Sequence, residues 1–319
     1  MFAGTSRAGL ALAATLLTSF AAPAFAQSYP TKPIEINITY GAGGGVDLNF
    51  RAFAPFLEKE LGQPVVIVNR GGAGGVTGWT FIARAKSDGY SLGNYNLPAL
   101  SANFATGALP FDPVTQFDFL GQIAFDPVVV AVSGKSPFKN MTDAVDHMRK
   151  NPGGLSYAAT GIVSSDALTA KSVEVATGVK FRIVNFDSGK EAITAGLGGH
   201  VDAVGLTVSE AIPYVKDGSL RVLAVGGDAR DPQMPDVPTF KELGYDIQFQ
   251  GSARGLAIPV GAPPEVLDRL KAAVRKIATS SGYPEKAAEL GLKAVYVAPE
   301  EVKKTVGSQV EWLKANLKR

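Results

Sequence analysis

Ile34-Glu35-Ile36-Asn37-Ile38-Thr39-Tyr40-Gly41-Ala42-Gly43-Gly44-Gly45-Val46-Asp47 passes from an alternating apolar run into glycines, and Phe50, Phe53, Leu57 and Leu61 follow at helical spacing. The pattern reads as strand, glycine loop and helix start. Four glycines within residues 41–45 leave peptide N–H groups uncovered, and the positive end of the helix dipole points the same way, which suits a bound anion. A second copy follows the run Val65-Val66-Ile67-Val68: Gly71-Gly72-Ala73-Gly74-Gly75-Val76-Thr77-Gly78, leading into another helical segment. Taken alone, each loop reads equally well as a tight strand-to-helix turn. Two of them on one sheet edge, facing a second lobe, favour a shared anion site.

Working outward, a third strand is predicted over residues 90–95, and the layout is α/β with a parallel sheet whose ligands sit at the C-terminal strand ends. Pro55 is expected to kink or split the first helix. Residues 119–125 and 128–132 read as two β runs separated by Asp126-Pro127. Alternating units follow, with helices over 140–150, 165–177, 190–197 and 208–217 and strands over 155–159, 181–185, 203–206 and 220–225. The proline-rich segment 231–238 suits neither helix interior nor central strand. After an extended run over 248–258 only helices are predicted, which suggests a return to the first lobe. The chain then crosses between lobes near 119–125 and 248–254, and two crossing strands make a hinge. The expected division is residues 27–123 plus 252–319 for lobe I and 124–251 for lobe II.

The 319 residues exceed what one core usually supports, and 46% are apolar. Arg7, the apolar run 8–20 and Ala24-Phe25-Ala26 read as a signal peptide over residues 1–26, so the protein is expected to be exported. That run is shorter than the ~20 residues a membrane span requires. Removing Arg7 takes the formal charge from +2 to +1, a balance that argues against a nucleic-acid or polybasic membrane surface. With no cysteine, disulfides, thiolate nucleophiles and zinc-thiolate sites are excluded.

The usual catalytic and cofactor motifs fail. The sixth position of G-x-G-x-x-G is Val46 from Gly41, Leu48 from Gly43 and Thr77 from Gly72. Gly134-Lys135-Ser136 lacks the earlier P-loop glycine, where Val129 stands, and neither G-x-S-x-G nor H-E-x-x-H occurs. His147 reads as a surface histidine and His200 as a turn histidine, each without an obvious partner. Asp187 and Glu191, one turn apart beside Lys190, read as a solvated helix start. Asp47 reads first as a helix-start acid that complements the dipole. No cofactor, metal or catalytic group is expected.

The motifs together resemble a known family. Tyr29-Pro30-Thr31-Lys32-Pro33-Ile34, the first glycine loop with Asp47 and Arg51, Leu61-Gly62-Gln63-Pro64-Val65-Val66, Asn69-Arg70 through Gly74-Gly75, and Asp88-Gly89-Tyr90-Ser91-Leu92 are similar to the tripartite tricarboxylate transporter (TTT) substrate-binding proteins, or Bug-type receptors. Asn151-Pro152-Gly153-Gly154-Leu155-Ser156-Tyr157, Gly198-Gly199-His200-Val201-Asp202, Pro235-Asp236-Val237-Pro238-Thr239 and Pro259-Val260-Gly261-Ala262-Pro263 extend the likeness over essentially the whole mature chain.

The resemblance implies a type II-like, two-lobed periplasmic receptor whose cleft closes on a small carboxylate and which delivers it to a permease of one large and one small membrane subunit. It also implies that Gly41, Ala42, Gly43, Gly44, Gly45 and Asp47, with Gly72, Ala73, Gly74, Gly75 and Gly78, hold a ligand carboxylate largely through backbone N–H groups and ordered waters. Facing contacts would come from Thr160, Ser164, Ser165 and Asp166, and from the segment holding Phe186 and Asp187. Tyr95, Asn96 and Thr207, at strand ends, join the candidates. Many members read Pro-Tyr-Lys-Gly where this chain has Asn185-Phe186-Asp187-Ser188-Gly189, so Asp187 brings an acid where a base is common. Phe186, Tyr95 and Phe249 read either as aromatic walls of the cleft or as core. A monomer is expected. The competing readings are an exported α/β enzyme acting on an anionic small molecule, and a receptor that feeds a sensor kinase.

Overall fold

β1 (Ile34–Ile38) buries Ile34, Ile36 and Ile38 completely, and α1 (Gly45–Leu61) turns Phe50, Phe53 and Leu57 onto the same core. Spacings of three and four residues put these side chains on one face, and burying each stabilises by about 1.5–3 kcal/mol relative to exposure. Gly62 ends the helix at φ +72°, a left-handed conformation that glycine adopts without penalty. Pro55 lies inside α1, and the helix continues through it rather than splitting.

The computed structural model describes Met1 and residues 29–186, 189–280 and 282–317. The export signal expected over residues 1–26 lies outside the described residues apart from Met1, and Asp187 lies outside them too. After α1 come β2 (Val65–Asn69), a 3-10 turn (Ala73–Gly75), α2 (Val76–Ala83), β3 (Ser91–Leu97), α3 (Ala99–Ala105) and α4 (Pro113–Gln116). The long β4 (Phe117–Ser133) leads to α5 (Met141–Lys150), β5 (Ser156–Ala159), α6 (Ser165–Thr177) and β6 (Arg182–Asn185). Then follow α7 (Gly189–Leu197), β7 (Ala203–Thr207), α8 (Val208–Lys216) and β8 (Leu220–Val225). β9 (Gly251–Pro259), α9 (Pro264–Ser280), α10 (Tyr283–Glu289), β10 (Lys293–Val297) and α11 (Pro299–Asn316) close the chain.

The strands are ordered β2-β1-β3-β9-β4-β7-β5-β6, with β10 and β8 also pairing β4. The sheet is mixed: the parallel pairing expected for the first α/β units holds for β1, β2 and β3, and antiparallel strands are inserted beside them. β1 is parallel to β2 and β3, and β5 to β6 and β7, whereas β4 and β9 are antiparallel to all their partners. The two strands that carry the chain between halves therefore run against the strands they join.

β4 is one strand of 17 residues, where two runs broken at Asp126-Pro127 were expected. Pro127 pairs with Gly251 of β9, while from Val128 onward β4 pairs with β7. The residue without an N–H thus sits where the strand exchanges partners, a place that tolerates proline. β10 is the second departure, because no strand was expected after residue 258. Its residues are only half-buried, and it pairs antiparallel with β4 at Gln122, Ala124 and Phe125.

In the second half both sheet faces are covered. Val130 and Val132 of β4 join Met141 and Tyr157 in one core, while Val129 and Ala131 join Val204 and Ala211 in the other. The C-terminal helices pack on the first half, with Leu270, Val274 and Ile277 of α9 in the core of β1 and α1, and Val302 and Val306 of α11 against Trp79 and Leu100. β4 and β9 connect the two α/β halves, and a cleft lies between them.

Candidate functional site

A cavity of about 360 Å³ lies between the halves. Gly45 and Val46 at the start of α1, Gly74 of the 3-10 turn and Asn96 of β3 form one wall. Thr160, Ser164, Ser165 and Asp166 around the start of α6, with Thr207 just before α8, form the other. The first N–H groups of a helix have no acceptor within it, and the dipole makes that end positive. Three such starts, from both halves, therefore meet at one cavity.

Each start is fixed by local chemistry. Ser164 caps α6, its Oγ accepting from the Ala167 N–H at 3.3 Å. The Asp166 carboxylate accepts from the Thr160 N–H at 2.7 Å and from Thr160 Oγ at 3.0 Å, folding the loop back onto the helix. Burial pushes the Asp166 carboxyl above its ordinary range, and these bonds with the Ser164 hydroxyl offset only part of the rise. Glu210 in the first turn of α8 accepts from the Thr207 N–H at 2.9 Å.

The cavity also exposes residues that the sequence reading missed. Arg254 of β9, only 4% exposed, lines the cavity and donates Nη1 to the Gly45 carbonyl at 3.0 Å and Nη2 to Asp126 at 3.0 Å. Asp126 of β4 is wholly buried and also accepts from Ser209 Oγ at 2.7 Å. Burial drives the Asp126 carboxyl up, against the opposing pull of the Arg254 charge and the Ser209 bonds. Tyr40, Ser209, Glu210 and Ser252 line the cavity as well. Burial pushes the Tyr40 hydroxyl up to about 12 despite its bond with Asn96 and the nearby Arg254 charge, so it stays protonated at neutral pH. An arginine alone in an apolar strand was the available signal for Arg254.

Of the residues singled out from the sequence, Gly45, Gly74, Asn96, Thr160, Ser164, Ser165, Asp166 and Thr207 line the cavity. Gly41, Ala42, Gly43, Gly44, Gly72 and Ala73 are exposed in the two loops, outside the cavity wall. Asp47 is turned away and nearly fully buried, accepting from the Gly43 N–H at 2.8 Å, Arg51 Nε at 2.9 Å and Asn69 Nδ2 at 2.9 Å. It shapes the first loop by tying it to β2. Gly75 and Gly78 are buried packing positions: a Cβ on Gly75 would stand 2.7 Å from the Trp79 ring, and one on Gly78 2.7 Å from Thr39 Cα.

Tyr95 lies away from the cavity because side chains alternate along a strand. Asn96 faces the cavity, while the Tyr95 ring packs edge-on against Phe119 at 5.3 Å in the core. Phe249 is core too, against Trp312 at 5.1 Å, and Phe186 packs beside Val184 on the second-half core. His147 packs edge-on against Phe138 at 5.2 Å and His200 is exposed, and neither lines the cavity. Among the described residues no group of three or more His, Cys, Asp or Glu side chains could hold a metal ion, and no helix is long and apolar enough to cross a membrane.

A family model described as "Tripartite tricarboxylate transporter family receptor" (TctC) matches residues 49–319. The chain belongs to this family. The "UPF0065 protein in gbd 5'region" of Cupriavidus necator is 34% identical, over 98% of this chain and 96% of that protein. A TctC solute-binding protein from Polaromonas, solved without ligand, superposes with a TM-score of 0.78 at 30% identity, covering 91% of this chain and 99% of that one. MatC from Rhodopseudomonas palustris, solved with bound malate, superposes with a TM-score of 0.77 at 25% identity, covering 91% and 100%. TctC proteins are periplasmic receptors, and the family and fold of this chain are those of solute-binding receptors.

Proposed function

We propose that this TctC-family protein is a periplasmic receptor that captures a small di-, tri- or aromatic carboxylate by closing its cleft and delivers it to a TTT-type permease. The observation that carries the reading is the cavity between the halves, onto which α1, α6 and α8 all begin. Preorganised N–H donors and positive helix ends favour an anion, and they strengthen once closure removes water. The bound malate of MatC, a relative in fold and sequence, is consistent with a carboxylate. The family's description as a transporter receptor supports the permease, with one large and one small membrane subunit, as the partner.

In this reading residues 1–26 are removed on export, residues 27–123 plus 252–319 form lobe I, residues 124–251 form lobe II, and the receptor acts as a monomer. The lobes rotate about β4 and the entry to β9, and the ligand's added contacts with the second lobe favour the closed state. The protein binds without catalysis, a view supported by the placement of both histidines away from the cavity. Calorimetric titration with a panel of di-, tri-, aromatic and hydroxy carboxylates, followed by NMR of any ligand that binds, tests this. Binding with the ligand unchanged is expected, and turnover would move the protein to the enzymes.

A further inference from the structure

The charges lining the cavity are divided between its walls. Among the described residues the first-half wall carries one charged side chain, the Arg254 guanidinium, which stands beside the start of α1 with Asp126 paired behind it, and the acid of that helix's first turn, Asp47, is turned away to Arg51 and Asn69. Among the described residues the second-half wall carries two carboxylic side chains, Asp166 and Glu210, and no basic one. Each stands in the first turn of a helix that begins at the cavity. Asp166 occupies the first turn of α6 and takes the N–H and hydroxyl of Thr160. Glu210 occupies the first turn of α8, takes the Thr207 N–H and hydroxyl with one oxygen, and sets its other oxygen 2.6 Å from where a Cβ of Gly189, the first residue of α7, would lie.

The positive helix ends of the second half are thus already matched by the protein's own acids, whereas that of α1 is left for the ligand. The remaining polar groups on the second-half wall include the hydroxyls of Thr160, Ser164, Ser165, Thr207 and Ser209, which can donate or accept. A carboxylate placed against them would also lie beside the Glu210 carboxylate in a site that closure dries, where repulsion is costly.

We infer that the ligand is a polar monocarboxylate, bound with its carboxylate against the start of α1 and Arg254 and with a hydroxyl or ammonium group against Asp166, Glu210 and the surrounding hydroxyls. Glu210 acts as a built-in anion that rejects a second ligand carboxylate. This rests on the carboxylate-receptor reading and replaces its di-, tri- and aromatic acids with a monocarboxylate.

Calorimetric titration of the purified protein with matched three- to five-carbon acids tests the inference, for example succinate against 4-hydroxybutanoate and 4-aminobutanoate. The hydroxy or amino acid is expected to bind about tenfold or more tightly than the dicarboxylate of equal length. Glu210→Gln, which keeps the acceptor for Thr207, should shrink that ratio by raising dicarboxylate affinity, with the thermal midpoint of the variant reporting its folding. Dicarboxylates binding as well as or better than their hydroxy and amino counterparts would overturn the inference and leave the receptor reading standing. A ratio unchanged in folded Glu210→Gln would remove Glu210 from the selection. Should no acid of any kind bind while neutral compounds do, the carboxylate reading itself falls and takes the inference with it.

Discussion

Arg254 of β9 and Asp126 of β4 form a buried ion pair at 3.0 Å, one residue from each strand that links the halves. Through Gly45 the pair reaches the first glycine loop, and through Ser209 it reaches the start of α8. The two walls of the cavity are therefore connected by one polar chain behind it.

Breaking that pair from one side leaves a charge buried without its partner. Asp126→Ala is expected to lower unfolding free energy by about 3–5 kcal/mol, because desolvation of the guanidinium is no longer compensated. Replacing both residues, as in Asp126→Leu with Arg254→Leu, should cost less than the sum of the single changes. Urea denaturation of the three variants checks this through the coupling in the double-mutant cycle.

Asp47 supports the first loop in a pH-dependent way. Burial opposes its charge, but the bonds from Arg51, the Gly43 N–H and Asn69, with the Arg51 charge, hold its carboxyl below the ordinary 3.8. A lowered folded-state value gives stability that is fully present above the ordinary range and is lost as pH falls through the lowered value. The stability difference between the wild type and Asp47→Asn should be constant near neutral pH and shrink in acid below that range. A difference independent of pH down to the acid transition would contradict this role.

The glycines of the loops differ in what they do. Gly78→Ala forces a methyl against Thr39 Cα and the Arg70 carbonyl, at 2.7 and 2.8 Å, and is expected to cost about 1–3 kcal/mol. Gly44 has φ −76° and its nearest neighbour would stand 3.7 Å from a Cβ, so Gly44→Ala should change stability by no more than about 0.5 kcal/mol. Thermal and urea unfolding of the two variants distinguish a packing glycine from a loop glycine.

Gly45 is the glycine that faces the site. A Cβ there would stand 3.5 Å from Arg254 Nη2, and the branches of Gly45→Val would enter the cavity over the first N–H groups of α1. The variant should fold and lose about tenfold or more in ligand affinity by calorimetry. Full affinity would show that the start of α1 does not touch the ligand.

Much of this was legible in the chain, for reasons that also explain what was not. The helix over Ser165–Thr177 could be read to its ends because a serine cap and Gly178 mark them, and β1 because it alternates before a glycine run. β4 was read as two runs because Asp126-Pro127 has the local chemistry of a turn. Pairing with β9 through Pro127 and with β7 from Val128 carries the strand on, and partners so far away in sequence are not visible locally. The same separation hid Arg254 from the site. Asn96 and Tyr95 stand side by side near the end of β3, and only the pleat assigns one to the cavity and the other to the core.

A cavity that recognises a negative charge beneath α1 must distinguish a carboxylate from its primary amide, and matched pairs of the two put that to the test. Calorimetric titration of the wild type with 4-hydroxybutanoate and 4-hydroxybutanamide, alongside other such pairs, should show binding of acids and none of the amides. At 100 times its dissociation constant a bound acid should add about 2.7 kcal/mol to native-state stability. Amides that bind as tightly as their acids would contradict the account.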